Sequence, residues 1–266
     1  MKTGLRQREI LTTMAKTTGS DLLIRALRAE GVDTVFGIAG DHILHMLDTM
    51  FDAPLRMVDF RHESGAVHAA DSYSRILKKG AVMLSTTPGH ANALPALANA
   101  IHSEAPVINI AGSAESPNLG RGAMQEFDQI NAAKPITKGA WEVPSPSRIP
   151  EYVALAFRTA LSGRQGPVHL TIPHDFQMAE IDDAEVARYT PSEYGLSSLV
   201  LGDPDQVEKA IDLLSTAQRP MIFAGSSAGA TAMPSEVRRL VETMRIPFFS
   251  EDSARALIPD SHEYSM

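Results

Sequence analysis

Short aliphatic runs alternate with helix-patterned segments from residue 20 to residue 173, and that rhythm constrains the fold more than any single motif does. "SDLLIRALRAEG" carries apolar residues at helical spacing, with Ser20 expected as N-cap and Gly31 as the stop. "VDTVFGIAG" then reads as a strand running into a glycine turn, and "DHILHMLDTMF" as the next helix. "LRMVDF", "GAVMLST", "PVINIAGSAE" and "PVHLTIP" read as further strands, with "ESGAVHAADSYSRIL", "HANALPALANAIHS" and "IPEYVALAFRTALSG" as helices beside them. Such alternation requires right-handed crossovers and predicts an α/β fold, a doubly wound, mainly parallel sheet covered on both faces. Ligands of such sheets lie beyond the carboxyl ends of the strands, so the chemistry is expected in the loops there.

After Pro173 the rhythm lapses. "HDFQMAEIDDAEVARYTPSEYGLSS" is polar, lacks a sustained apolar period and reads as a surface segment with a linker at 181–197. "DPDQVEKAIDLLSTAQ", "RPMIFAGSSAGA", "MPSEVRRLVETM" and "IPFFSED" restart the alternation. Residues 198–266 are too few for an ordinary doubly wound domain, so an incomplete second α/β unit is expected, as a fragment of a longer chain or as one subunit completed by another. Residues 1–16 read as an N-terminal tail and 17–180 as the first domain.

Composition removes several classes of function. The 24 basic residues are scattered against 32 acidic ones, for a net charge of −8, and no basic stripe with interleaved aromatics offers itself to nucleic acid. No apolar run approaches the roughly 18 residues of a membrane span. Cysteine is absent, which excludes disulfides, thiol nucleophiles and zinc–thiolate sites and suits a cytoplasmic protein. The 9 histidines show no metal-ligand spacing, so no metal ligand is assigned within the chain. The motifs G-x-x-x-x-G-K-[ST], H-E-x-x-H and G-x-S-x-G do not occur. "GSSAGA", residues 225–230, reads first as a tight strand-to-helix turn and second as a phosphate or dinucleotide cradle.

What remains is a set of residues at expected strand ends. Glu63 stands where "RMVDF" stops and a helix starts, and its ordinary reading is a first-turn acid that offsets the helix dipole. Gly40 with His42, "TTPGHAN" (86–92), "GSAE" (112–115) and "GAMQEFDQINAAKPITK" (122–138) occupy equivalent positions and are expected on the same rim.

"VFGIAG", "RHESGAVHAADSYSR", "TTPGHANALPALANAIHSEAPVINIAGSAE", "QEFDQINAAKPITK" and "SGRQGPVHLTIPHDF" follow one another in register. In that order and spacing the chain resembles the N-terminal, pyrimidine-binding domain of thiamine-diphosphate-dependent enzymes. The group it is most similar to is acetolactate synthase-like and includes benzaldehyde lyase, oxalyl-CoA decarboxylase and 2-hydroxyacyl-CoA lyase. The resemblance covers about 17–180, and 198–266 resembles the start of the family's Rossmann-like central domain. It implies that Glu63 hydrogen-bonds a ring nitrogen of the cofactor's aminopyrimidine and favours the imino tautomer, whose nitrogen takes the thiazolium proton. One carboxyl group suffices in a dry cleft, because the cofactor carries the carbanion chemistry and the protein tunes it.

The same resemblance implies roles residue by residue. Ile38, Ala39, Gly40, Pro88, Gly89 and Asn92 would line the pyrimidine with Glu63. His42 matches an active-site histidine of benzaldehyde lyase; its alternative reading is a solvent-exposed histidine at a helix start. Gln125 matches a glutamine that reaches toward the cofactor or its bound intermediate, with Gln129 the rival alignment. Thr87 replaces the first glycine of the family's G-P-G-x-x-N turn, and His90 replaces a small residue there, which places it on the substrate side. His62 and His68 are expected to pack or cap around Glu63, and Met46, Met50 and Met57 to fill core positions. The family's G-D-G segment followed by N-N, which holds diphosphate and Mg²⁺, is absent here. The resemblance therefore implies thiamine diphosphate and Mg²⁺ as cofactors, with the metal held by a missing domain or a partner chain. It also implies a small carbonyl substrate, a homo- or hetero-oligomer with the cofactor at a subunit interface, and an apolar surface around 61–75 and 87–95. The reaction implied is C–C bond cleavage or formation next to a carbonyl, on a 2-hydroxyacyl-CoA or 2-oxo acid; a non-catalytic scaffold that kept the fold is the alternative. A flavin or nucleotide in the central domain is a third possibility, since relatives sometimes hold one.

Overall fold

The computed structural model describes residues 16–189, 191, 202–230, 234–251, 254–255 and 257–266. The tail before residue 16 and most of the expected linker after residue 189 lie outside them.

The first unit opens with β1 (Lys16–Thr18), α1 (Gly19–Ala29), β2 (Thr34–Gly37), α2 (Leu44–Phe51), β3 (Arg56–Asp59), α3 (Glu63–Leu77), β4 (Ala81–Ser85), α4 (Thr87–His102) and β5 (Val107–Ser113). It continues with α5 (Gln129–Ala133), β6 (Ala140–Glu142), α6 (Ile149–Leu161), β7 (Val168–Pro173), α7 (His174–Met178) and β8 (Glu180–Asp182). Six strands form one sheet in the order β3-β2-β4-β5-β7-β6, and every pairing in it is parallel.

Alternation along the strands divides the core in two, as the period of an extended chain requires. In β4, Val82 and Leu84 join a cluster with Leu23 and Leu27 of α1, Met46 of α2 and Phe157 of α6. Ala81 and Met83 point the other way, into a cluster with Val67 and Ala70 of α3 and Leu97 of α4. The second cluster is rich in alanine, which lets α3 and α4 lie close together over the sheet. From β2 the chain crosses to the edge strand β3, then returns under the opposite face to β4. The order in which strands are added thus reverses between β2 and β4, the switch point at which such sheets open a crevice at the carboxyl ends.

Three details depart from the sequence reading. Thr18, not Ser20, caps α1: its hydroxyl accepts from Asp21 N–H at 3.1 Å while Asp21 accepts from Thr18 N–H at 2.9 Å, closing a capping box. Ser20 lies buried as the second residue of the helix. "TTPGHAN" is not a loop, because α4 begins at Thr87 and Pro88 fits a first turn whose N–H groups need no helical partner. The polar stretch after Pro173 does not run free either. It forms α7, then β8, which pairs antiparallel with β1, and Phe176, Ile181 and Val186 pack on the first core.

The second unit contains α8 (Pro204–Thr216), β9 (Ile222–Ala224), α9 (Ser226–Ala230), α10 (Pro234–Met244) and β10 (Phe248–Ser250). Its two strands pair in parallel, and Ala224, Val241, Phe248, Leu257 and Ile258 make a small core. No residue of α8 is buried, and Val207, Ile211 and Leu213 face outward with Phe223 of β9 and Phe249 of β10.

Leu97 is fully buried, whereas Phe51 is 89 % exposed. Leu97→Ala is expected to cost about 2–5 kcal/mol of stability through the lost contacts and the cavity left behind. Phe51→Ala is expected to stay within about 0.5 kcal/mol. Urea unfolding of the two variants beside the parent checks both.

Candidate functional site

Glu63 is the first residue of α3, three residues beyond the expected end of a strand that stops at Asp59. His62 caps the helix, its Nδ1 accepting from Ser64 N–H at 3.2 Å. Ser64 Oγ donates to the Asn92 carbonyl at 2.6 Å, tying the start of α3 to α4. Asn92 Nδ2 donates in turn to Glu63 Oε2 at 3.0 Å. The carboxyl group lies against Gly89, where an added Cβ would stand 2.8 Å from Glu63 Oε1 and 2.9 Å from Ser85 Cβ. Any side chain at residue 89 would therefore displace the acid. Glu63 is half-buried, with one oxygen anchored and Oε1 without a hydrogen bond among the described residues.

Because β2 lies between β3 and β4, the turn at 38–40 rises beside this acid. Ile38 N–H donates to the Leu84 carbonyl at 3.4 Å, and Gly40 packs on Thr86. Ile38 and Gly40 are half-buried, while Ala39, Pro88 and Asn92 are exposed. Residues 38–40, 63, 88, 89 and 92 thus border one open rim at the switch in strand order.

His42 follows in the short 3₁₀ turn before α2 and is only 5 % exposed. Gln177 Nε2 donates to its carbonyl at 2.7 Å, and Gly112 leaves room for that carbonyl, since an added Cβ would meet it at 1.9 Å. Burial lowers the His42 imidazole from its ordinary range; nearby Asp41 opposes the shift and His174 adds to it. The solvent-exposed reading of His42 is corrected by this packing.

Behind His42 runs a buried polar network. Asn109 on β5 stands in register with His169 on β7, and its Nδ2 reaches His169 Nδ1 at 2.9 Å and His90 Nδ1 at 2.8 Å. The two imidazoles stack with centroids 3.9 Å apart. His90 Nε2 meets the Gln129 main-chain carbonyl at 3.2 Å. A carbonyl only accepts, so neutral His90 carries its proton on Nε2 and receives Asn109 on Nδ1. His169 is constrained alike, its Nε2–H donating to Thr171 Oγ1 at 2.8 Å. Thr171 donates to Gln129 Oε1 at 3.0 Å, and Gln129 Nε2 donates to Thr87 Oγ1 at 3.0 Å and to the Gly112 carbonyl at 3.1 Å. Burial depresses His90 to about 4 and His169 well below the ordinary value, with repulsion from His90 adding to the second.

This network corrects the substrate-side expectation for His90, which is completely buried beneath the rim with both nitrogens occupied. Gln129 is 3 % exposed and holds strands and helix together, although it also borders a cavity of about 80 Å³ beside Ser113, Phe127 and Glu142. Gln125 lies in the exposed loop before α5 at a backbone φ of 58° and makes no side-chain hydrogen bond among the described residues. His68 is exposed and makes no side-chain hydrogen bond among the described residues, whereas Met46 and Met50 are buried and Met57 packs against the first core.

The expected apolar surface is present only in part. The exposed positions within 61–75 are Arg61, His62, His68, Ser72 and Arg75, a polar set, whereas within 87–95 they are Pro88, Ala91, Asn92 and Pro95, small and mostly apolar. Large exposed apolar side chains lie elsewhere, at Leu44, Phe51, Ile76 and Leu77. The "GSSAGA" turn is hemmed by acids: Ser227 Oγ donates to Glu104 Oε2 at 2.9 Å and Ser226 Oγ to Glu251 Oε2 at 3.3 Å, surroundings that repel phosphate. Sequence reading missed Asn109, His169 and Thr171. Their signal was present as polar residues on one face of otherwise apolar strands. Among the described residues no group of three or more His, Asp or Glu could hold a metal, and no helix is long and apolar enough to cross a membrane.

Residues 17–132 match the family described as thiamine pyrophosphate enzyme, N-terminal TPP binding domain, and residues 207–266 match the central domain of the same enzymes. The chain is 34 % identical over 253 residues to a probable acetolactate synthase large subunit of Methanocaldococcus jannaschii, covering 93 % of this chain and 42 % of that protein. It is 32 % identical to oxalyl-CoA decarboxylase of Escherichia coli K12, covering 94 % of this chain and 45 % of that protein. It is 31 % identical to 2-hydroxyacyl-CoA lyase of Arabidopsis thaliana, covering 96 % and 45 % respectively. The chain thus spans less than half the length of these relatives.

The buried histidine pair makes stability depend on pH. Both rings bind protons less readily folded than unfolded, so the unfolded chain takes up more protons as pH falls. Stability is expected to decline from about pH 6.5 downward, losing about 3 kcal/mol through His90 by about pH 4. Urea unfolding across that window, with His90→Asn as the flatter comparison, checks the slope.

Proposed function

We propose that this chain, which belongs to the thiamine pyrophosphate enzymes through their N-terminal binding domain and central domain, holds the pyrimidine side of the cofactor in an enzyme that cleaves or forms a C–C bond beside a carbonyl. Glu63 carries the reading. It is half-buried on a switch-point rim, anchored through one oxygen by Asn92 and left with the other free against Gly89, which has no side chain. A ring nitrogen brought to that oxygen would share a proton with it. Thiamine diphosphate, when bound, supplies the carbanion chemistry. In this reading Glu63 holds and moves the proton at the pyrimidine ring, and Ile38, Ala39, Gly40, Pro88, Gly89 and Asn92 set the ring's plane. His42 and Gln125 stand toward the substrate, Gln125 from the exposed loop before α5.

We take residues 17–180 as the pyrimidine-binding unit, extended by the β1–β8 pairing, and 198–266 as the first part of the central domain. Diphosphate and Mg²⁺ belong in this reading to sequence beyond these residues or to a partner subunit, because no G-D-G with a following N-N occurs here. The relatives' names favour a 2-oxo acid or a 2-hydroxyacyl-CoA as substrate. An oligomer with the rim closed by a neighbouring domain follows, as does a cytoplasmic setting.

Glu63→Gln in the assembled enzyme is expected to lower turnover by about 10²–10⁴-fold, the usual range for a proton-transferring side chain. Unchanged turnover would leave the chain as a scaffold. Calorimetry on the 266-residue chain alone is expected to show weak or undetectable cofactor binding, since the charged end of the cofactor finds no partner in it; tight binding would overturn that expectation.

A further inference from the structure

A histidine whose two ring nitrogens see different surroundings takes its tautomer from the group that meets the inner one. His42 Nδ1 lies 3.2 Å from Thr87 Oγ1. That hydroxyl already accepts from Gln129 Nε2 at 3.0 Å, and the Gly112 carbonyl, 3.2 Å away, is an acceptor for its own proton. With the proton placed there, Thr87 Oγ1 offers His42 its second lone pair and Nδ1 donates. The Gln129 amide cannot turn over to reverse this, because Thr171 donates to its oxygen at 3.0 Å. A turned amide would also set its oxygen against the Gly112 carbonyl, which now accepts from Gln129 Nε2 at 3.1 Å. The order of protons therefore runs without a break from the Gln129 main-chain carbonyl, through His90, Asn109, His169, Thr171 and the Gln129 side chain, to Thr87. His42 Nε2 has no partner among the described residues and is not among the polar atoms sealed from solvent without one.

We infer that Thr87 and Gln129 are positioning residues that hold His42 as the Nδ1–H tautomer and leave its Nε2 lone pair open, as an acceptor for a hydroxyl or amino proton of the molecule bound at the rim. The use of that lone pair rests on the rim being the substrate side; the tautomer itself does not. An imidazole in water prefers the opposite tautomer, so the assignment is a property of the fold. It also gives the threonine at position 87 a function, since a glycine there would offer His42 no hydroxyl.

Histidine-labelled chain, examined by ¹⁵N NMR at neutral pH, tests this directly, with the His42 signals identified by their loss in His42→Asn. The expected spectrum shows the His42 proton on Nδ1 and a bare Nε2. Thr87→Val, which keeps the shape and removes the hydroxyl, is expected to shift the tautomer ratio about tenfold toward Nε2–H, the size of one buried hydrogen bond. Thr87→Ser is expected to restore it. A parent His42 protonated on Nε2 would overturn the inference, as would an unchanged ratio in Thr87→Val with the His90 and His169 signals intact. Should Thr87→Val not fold, the parent spectrum decides alone. An inactive enzyme with the expected tautomer would count against the proposed function and leave this inference standing.

Discussion

The contact between the Glu63 carboxyl group and the bare turn at Gly89 is the constraint around which the rim is arranged. A carboxyl group reaches that place only if α3 starts within four residues of the end of β3, if α4 starts within two of the end of β4, and if the residue facing it at position 89 carries no side chain. The His62 cap fixes the first condition, and the Ser64–Asn92 bond holds the two helix starts together. The alanine-rich contact of α3 with α4 supplies the close approach on which all of this depends. Sheet topology then places the turn at 38–40 beside the acid, since β2 is the strand between.

A second constraint works from below. Parallel sheets are ordinarily packed with aliphatic side chains, yet Asn109, His169 and Thr171 occupy fully buried positions on β5 and β7. A buried polar group is costly unless it is paired, and a network pays only when every member is satisfied. Nearly every one is here: the exception in the ring is Asn109 Oδ1, which no donor reaches, while both amide protons go to the histidines. Protonating either imidazole would set an N–H against that NH₂ group, so the network also excludes protons from the centre of the fold. Its polar members run to the underside of His42, which couples the order of the core to one residue at the rim.

Much of this was legible in the sequence. Segments with a long and consistent period, such as "ESGAVHAADSYSRIL" and "AVMLS", gave both the elements and the parallel sheet, because burial on one helix stripe or on both strand faces leaves a pattern that neighbours cannot blur. Short elements left none: β6, α5 and the β1–β8 pair are three to five residues long and are fixed by contacts distant in sequence. The rim residues were legible as glycines and one acid at strand ends. The direction in which His90 and Gln129 point was not, since both follow from partners on β5 and β7 that looked like ordinary strand residues. Polar identity told where chemistry was available; only tertiary register told whether it faced the rim or the core.

Thr87 shows how the two constraints meet. In the G-P-G-x-x-N pattern that the chain resembles, this position is a glycine, and a larger residue would ordinarily crowd the crevice. Here the added side chain is accommodated because its hydroxyl has three partners, His42, Gln129 and the Gly112 carbonyl, so no buried polar group is left over. Space for this arrangement comes from Gly112, whose missing Cβ would otherwise sit 1.9 Å from the His42 carbonyl. The hydroxyl at position 87 sets the chemical character of the contact beneath His42. Thr87, the buried glutamine at 129 and the histidine pair are thus one connected arrangement. None of them is satisfied without the next.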